Sequence, residues 1–389
     1  MKRKIIGLTG AFGSGASFLA ENFFVKEMRY EKFSLSKELR ELFKEEKGRE
    51  NVSRRELQEF GNEIRKNKEN TLVERIDIYL NNDEYKSKDI VIDSFRNPSE
   101  IRFFREKYPE FILIGVFADY DKRWERVKTS YGFKKDEFDE DDKKDKGTNE
   151  PEYGQKISNC FFEADLILSN NDYINCEQKN DKFREMDSKI RAYMKDLDDP
   201  IHSNPTLMEI SMAEAYASGR RSRCLKRKVG SIITDEYDRI ISSGFNGVPH
   251  GLQECKSLEG ACYRDKQRKN IAQKILNDLK IQDAEKSTEV VRSNIKLLEL
   301  CRALHAEESA ILNLVGNGVS LQGAKMYVTT FPCNLCANKI VQANIKKVVY
   351  FEPYPVEEAK TIFQQAHVVV EPFEGVTFRA FFKFFQYEA

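Results

Sequence analysis

In the first third of the chain, apolar residues fall in short unbroken runs (KIIGLTG, DIVIDSF, EFILIGVF), and stretches with helical spacing such as NPSEIRFF and DYDKRWERV follow them. Unbroken runs of this length suit strands buried on both faces, and their alternation with helices predicts βαβ units and a parallel sheet. FFEADLILSNN adds a further strand. The order changes after residue 205. TLMEISMAEAYASG reads as a helix, VGSIIT and IISSGF as a hairpin, RALHAEESAILNLVGNG as an amphipathic helix, and GAKMYVTT as a strand. FPCNLCANKIVQANI then reads as a second helix, with KKVVYFEP and HVVVEPF as two more strands. That order predicts one mixed sheet sandwiched by helices.

KDLDDPIHSNPT holds two prolines and several turn formers, so it reads as a boundary. The expected division is a domain over 1–195, a linker over 196–205 and a second domain over 206–389, as a chain of 389 residues invites. Two stretches depart from the apolar pattern. KKDEFDEDDKKDKGTNEPEYGQ is highly charged and predicts a mobile lid-like loop or a disordered insertion. Residues 252–300 are charged with a helical pattern, and a lid, an oligomer contact and an effector site all fit them.

Lys+Arg and Asp+Glu both total 64, leaving no formal net charge. No long basic stripe interleaves with aromatics, which argues against a polynucleotide substrate, since phosphate contacts need clustered positive charge. No apolar run approaches a membrane span, and MKRKIIGLTG leads into a strand without a secretory cleavage pattern. The expectation is a soluble, cytoplasmic protein with no membrane partner. Its eight cysteines then fit better as thiols and metal ligands than as disulfides.

Candidate chemistry concentrates near the C-terminal end, in His305-Ala306-Glu307 and Pro332-Cys333-Asn334-Leu335-Cys336. One imidazole and two thiolates suit zinc, and a fourth position left to water separates a catalytic site from a closed structural one. Pro332 suits a helix start, and the positive helix end favours thiolate. Glu307, two residues beyond the histidine, is the free carboxylate that can move protons between water, ring nitrogen and departing amine. This set matches the parts of a zinc-dependent base deaminase.

The blocks SRCLKRKVGSIIT, GFNGVPHG, LHAEESAIL and MYVTTFPCNLCANKIVQANIKKVVYFEPY closely resemble successive segments of the deoxycytidylate deaminases, within the cytidine deaminase superfamily. The resemblance runs from Thr206 to the C-terminus and implies a cytidine-deaminase-like α/β/α sandwich acting on free deoxycytidine nucleotides. It implies that Asn246 bonds the sugar hydroxyl, that the backbone around Ala306 meets the base and that Tyr354 meets the phosphate. Asn246-Gly247 also suits a simple hairpin turn. Because some deoxycytidylate deaminases carry a second, structural zinc, the resemblance offers Cys224, Cys255, Cys262 and Cys301 as a closed thiolate site, although no CxxC pair occurs among them.

The chain opens as strand, glycine-rich turn and helix, the layout of a phosphate-binding loop. Gly10, Gly13, Ser14, Gly15 and Ser17 keep the outer glycines and the hydroxyl, but Ala16 stands where the lysine belongs. A phosphate can still be cradled and Ser17 can still meet Mg2+, while phosphoryl transfer loses its bridging cation. The segment resembles P-loop nucleoside-monophosphate-kinase-like proteins, which implies Asp93 at a magnesium site and Arg96, Arg123 and Arg126 facing phosphate. Fused halves of this kind resemble bacterial anti-phage dCTP/dCMP deaminases. That likeness implies a nucleotide effector at the first domain, a homo-oligomer and an inhibitory small RNA. A housekeeping dCMP deaminase, a polynucleotide or tRNA deaminase and a non-catalytic nucleotide-binding regulator are the alternatives.

Overall fold

In the computed structural model, which describes residues 3–145, 147, 153–279, 300–315, 318–353 and 357–386, the apolar runs become strands of two separate sheets. The chain divides into two units, Met1–Pro205 with Glu374–Ala389, and Thr206–Phe373.

The first unit holds Ile5–Thr9 (β1), Glu31–Ser34 (β2), Ile90–Phe95 (β3), Phe111–Phe117 (β4) and Leu166–Ser169 (β5). Every residue of β1 is buried, as a strand flanked on both edges and covered on both faces must be. It pairs in parallel with β3 and with β4, while β2 extends the β3 edge and β5 the β4 edge. The loop 10–15 follows β1 at the centre of the sheet. Gly15 has φ 91, and a Cβ there would lie 2.3 Å from the Asn170 amide nitrogen, which donates to Ser14 O at 2.8 Å. Only glycine fits that turn.

Three features depart from the sequence reading. The charged stretch after residue 134 is not a free loop where it is described, because Lys135–Asp145 forms a helix. Its Asp141, Asp142 and Asp145 are buried against Arg54, Arg55 and Arg123; buried carboxylates persist when paired this way. The expected linker begins inside a helix, since Asp181–Asp198 continues past residue 196. The second domain was expected to reach residue 389, yet the chain after Phe373 belongs to the first unit. The reason is hydrogen bonding and apolar packing there: Glu374 accepts from the Ser169 N–H at 3.1 Å and from Lys189 at 2.9 Å, and Phe384 is buried with Phe183 and Ile190.

The second unit contains the hairpin Gly230–Thr234 (β6) and Ile240–Phe245 (β7), then Lys325–Thr330 (β8), Lys347–Glu352 (β9) and Val369–Pro372 (β10). Their order is β10-β9-β8-β6-β7, with β8, β9 and β10 parallel and β6 antiparallel to both of its neighbours. The expected mixed sheet is therefore present. One core packs Met326, Val328, Ile340, Val348 and Phe363 together. The remaining short strand, Gly375–Val376 (β11), lies antiparallel to β5 at the edge of the first sheet. No described helix is long and apolar enough to cross a membrane. Of the 252–300 insertion, Cys255–Glu259 and Tyr263–Leu279 are helices, and 280–299 lie outside the described residues.

Candidate active site

Two helix starts place the ligands. His305 caps Ala306–Leu312 and Cys333 caps Asn334–Gln342, each with extended backbone. Helices begin at these residues because the apolar spacing starts there and each cap leaves N–H groups that favour a negative partner. β8 runs into the second helix, so the sulfurs sit at the end of a buried strand.

Cys333 Sγ lies 3.4 Å and Cys336 Sγ 3.3 Å from His305 Nδ1. A tetrahedral zinc with ordinary Zn–S and Zn–N lengths would hold sulfur and nitrogen roughly 3.5 Å apart. The donor set therefore fits zinc in both chemistry and spacing. Among the described residues it is the one group of three such ligands within 4.8 Å of one another.

Glu307 is 4 % exposed and heads the first turn of its helix. Burial pushes its carboxyl above the ordinary glutamate value, against the charge of His305 and hydrogen bonds from its own backbone and Cys336. The Cys333 thiol is held down to about 4 by its hydrogen bonds from Cys336 and His305, while Cys336, beside it and buried, is pushed up. Hydrogen bonding to Cys333 raises His305. A strongly perturbed carboxyl, imidazole and thiol pair in one place is the electrostatic mark of a reactive centre.

Sequence reasoning missed the supports. Glu308 accepts from the His305 N–H at 3.4 Å and pairs with Lys339 at 2.5 Å, tying the histidine helix to the cysteine helix. Ser242 on β7 donates to Ala310 O at 2.6 Å, and Asn313 donates to Ser243 O at 2.8 Å. A Cβ on Gly244 would lie 2.3 Å from Ala306 O and from Ala310 N, so the helix seats directly on the strand backbone. Only helical spacing hinted at these contacts, and spacing does not name partners across a fold.

The carboxamide of Asn246 is engaged locally, accepting from the Val229 N–H at 2.8 Å and donating to Arg227 O at 2.9 Å. Its neighbour Gly247 exchanges backbone hydrogen bonds with Leu304, which brings the NGVPHG loop next to His305. Ala306 is buried at the helix start, and Tyr354 lies outside the described residues. Cys224, Cys255, Cys262 and Cys301 line a common cavity, but no three of them bring their sulfurs within 4.8 Å. Cys255 begins the Cys255–Glu259 helix and the other three lie on separate non-helical segments, and without a CxxC pair nothing local fixes two sulfurs together.

In the first unit, Gly10, Gly13, Ser14, Gly15, Ala16 and Ser17 follow β1. Asp93 is buried on β3 with Lys32 3.8 Å away. Arg96 meets Gln155 at 3.3 Å and Asp145 at 3.6 Å. Arg123 donates to Phe12 O and to Asp142, and Arg126 to Gly13 O, Ser14 O and Asn170 O. These arginines clasp the loop's own carbonyls.

Residues 205–352 match the model of the cytidine and deoxycytidylate deaminase zinc-binding region. The deoxycytidylate deaminase of Enterobacteria phage T2 is 37% identical over 36% of this chain and 77% of its own length. The chain belongs to the cytidine and deoxycytidylate deaminase family. The deoxycytidylate deaminases of Saccharomyces cerevisiae and Schizosaccharomyces pombe are 32% and 30% identical, over 51% and 46% of this chain. This chain spans 56% and 49% of those two relatives. For this family member the matched span covers the hairpin, both ligand helices and strands β8 and β9.

Proposed function

We propose that the chain removes the exocyclic amine of free deoxycytidine nucleotides, dCTP, dCMP or both, by zinc-dependent hydrolysis. The observation that carries this is His305, Cys333 and Cys336 within 4.8 Å, with Glu307 buried two residues beyond the histidine. Zinc on those three donors would supply a water whose pKa falls to about 7. Glu307, kept from bulk solvent, would carry one proton from water to the ring nitrogen and then a second from the hydroxyl added at the ring carbon to the departing amine. Ammonia and the corresponding deoxyuridine nucleotide leave. Named relatives are deoxycytidylate deaminases, and the neutral charge balance favours a free nucleotide over a polynucleotide.

Chromatography of nucleotides after incubation tests the reading, with Glu307→Ala as control. Conversion of dCTP or dCMP to the deoxyuridine nucleotide supports it. Conversion only of RNA-embedded cytosine or adenine, or of nothing, replaces it with the editor or the non-catalytic regulator.

For the first unit the proposal is a nucleotide-binding, P-loop-like role without phosphoryl transfer. The loop 10–15 ahead of a helix and the parallel order around β1 support it, and Ala16 in the lysine position argues against kinase activity. Titration of the full chain with Mg-nucleotides tests this. The wider role is drainage of the deoxycytidine nucleotide pool during phage infection, by an oligomer held silent by a nucleotide effector or a small RNA. Support comes from the joining of the two units in one chain. Phage plating on cells carrying wild type or Glu307→Ala separates this role from housekeeping supply of dUMP.

A further inference from the structure

In the first unit the helix Lys135–Asp145 is held by charge more than by apolar packing. Ten of its eleven residues are charged, and Phe138 is the single apolar one. Phe138 is buried among the rings of Tyr120, Trp124 and Tyr131. An amphipathic helix of three turns normally buries several apolar residues, so one anchor leaves most of the docking to other groups. Those groups are Asp141, Asp142 and Asp145, all buried. Asp145 meets Arg54 at 2.5 Å and Gln58 at 2.7 Å, with Arg96 3.6 Å away. Asp142 meets Arg123 at 2.7 Å, while Asp141 meets Arg55 at 3.3 Å and Tyr131 at 2.9 Å.

Two of these arginines also touch the loop 10–15. Arg123 donates to Phe12 O at 3.1 Å, and the Arg54 guanidinium lies 3.6 Å over the Phe12 ring. Arg96 directly follows β3, which lies beside β1 in the sheet. Open parallel sheets take ligands at the carboxyl ends of such central strands. Three guanidiniums from three elements therefore gather where a ligand of that loop would lie, and the carboxylates of one helix face them. Phosphate oxygens use the same forked donors as carboxylate oxygens. Gln58, 4 % exposed, donates to Asp145 but leaves its own buried Oε1 without a hydrogen bond. An ionised carboxylate has no hydrogen to offer that oxygen, whereas a ligand bearing an O–H or N–H does.

The helix also begins at a strained joint. Gly132 has φ 55 and Phe133 φ 64, and a bulky side chain in the left-handed region costs free energy that the surrounding contacts must supply. Here those contacts are the ion pairs of the three aspartates.

We propose that the helix Lys135–Asp145 is an autoinhibitory plug. Its aspartates hold Arg54, Arg96 and Arg123, which a phosphate-bearing ligand of the loop 10–15 would engage, so ligand and docked helix exclude each other. The inference rests on the reading of the first unit as nucleotide-binding. Phosphate oxygens replace the carboxylates on the arginines, the cations stay paired, and the freed helix turns about Gly132 and Phe133 with release of the strain there.

The experiment uses the full-length, zinc-loaded chain with inorganic tripolyphosphate as the probe and MgATP in a parallel titration. Calorimetry gives Kd for wild type, for a variant carrying Asp141→Asn, Asp142→Asn and Asp145→Asn together, and for that variant with Arg123→Gln added. A plug docked roughly nine-tenths of the time weakens the apparent affinity about tenfold. The asparagine variant should therefore bind the probe about tenfold more tightly than wild type, and Arg123→Gln should remove that gain. In wild type the probe should speed amide hydrogen exchange across 135–145. If the asparagine variant does not fold, Phe138→Ala loosens the helix without changing a charge and should tighten binding about threefold; the exchange measurement on wild type stands beside it.

Equal or weaker affinity in the asparagine variant overturns the inference, as does a gain that survives Arg123→Gln or an exchange rate that the bound probe leaves unchanged. Each of these leaves the nucleotide-binding reading intact. Failure of every form to bind either tripolyphosphate or MgATP overturns that reading and this inference with it.

Discussion

Cys336 Sγ lies 3.3 Å from His305 Nδ1, although 31 residues separate them in the chain. That juxtaposition depends on β8 and on two helix starts meeting at one end of a sheet. Zinc should therefore be lost when either donor is removed. Replacing Cys336 with Ser or His305 with Ala is expected to lower bound zinc from near one per chain to a small fraction, measured by elemental analysis after dialysis. Treatment of wild type with a chelator should abolish deamination, and added zinc should restore it. Retention of zinc by both variants would show that other residues hold the ion.

Glu307 is two residues from a ligand yet is not part of the ligand set. Its buried carboxyl is the proposed proton carrier, so Glu307→Gln should lose roughly 10²–10⁴-fold in kcat. The zinc content should stay near that of wild type, because no donor has been removed. A fall in zinc parallel to the fall in rate would instead assign Glu307 to metal binding.

Gly244 lets the histidine helix sit on β7, with Ala306 O and Ala310 N each 2.3 Å from where a Cβ would be. Both neighbours are backbone and cannot swing away. Gly244→Ala should destabilise the second unit by about 1–3 kcal/mol and displace Glu307 from its position. Thermal unfolding reports the first effect and kcat the second. Ser242→Ala, which removes only the bond to Ala310 O, should cost about 1 kcal/mol. Equal behaviour of the two variants would show that the close approach does not position the helix.

Ser53 starts the Arg54–Asn67 helix with a reciprocal cap, in which Glu56 accepts the Ser53 N–H at 2.9 Å and pairs with Arg49 at 2.6 Å. These bonds, the backbone one foremost, hold the Glu56 carboxyl at about 2, below its ordinary 4.5. A lowered folded value means the contribution is present above about 4.5 and fades as pH falls through about 2. Wild type should thus exceed Glu56→Gln in melting temperature at neutral pH, with the gap narrowing from pH 5 downward. A gap independent of pH across that interval would remove the carboxylate from the cap's energetics.

Much of the site was legible because zinc chemistry restricts residue type: His305, Glu307, Cys333 and Cys336 stand out by kind and spacing alone. The supports did not stand out. Lys339, Glu308, Ser242 and Gly244 are ordinary residues whose roles arise from what lies across the fold. The cysteine quartet shows the opposite case: Cys224, Cys255, Cys262 and Cys301 line one cavity, but no three of their sulfurs lie within 4.8 Å of one another.

By itself the sequence determined the local periods, and hence a parallel-type half followed by a mixed sheet, because side-chain spacing is fixed by the helix and strand repeats. It also offered His305, Cys333 and Cys336 as a candidate ligand set, three side chains that lie within 4.8 Å of one another. Tertiary structure alone decided that the chain after Phe373 returns to the first unit, that the acidic stretch ending at Asp145 is a helix clamped by arginines, and that six cations share one cavity. Each of these depends on contacts between residues far apart in sequence, and the free energy of such contacts is set by which surfaces meet, which no local pattern encodes.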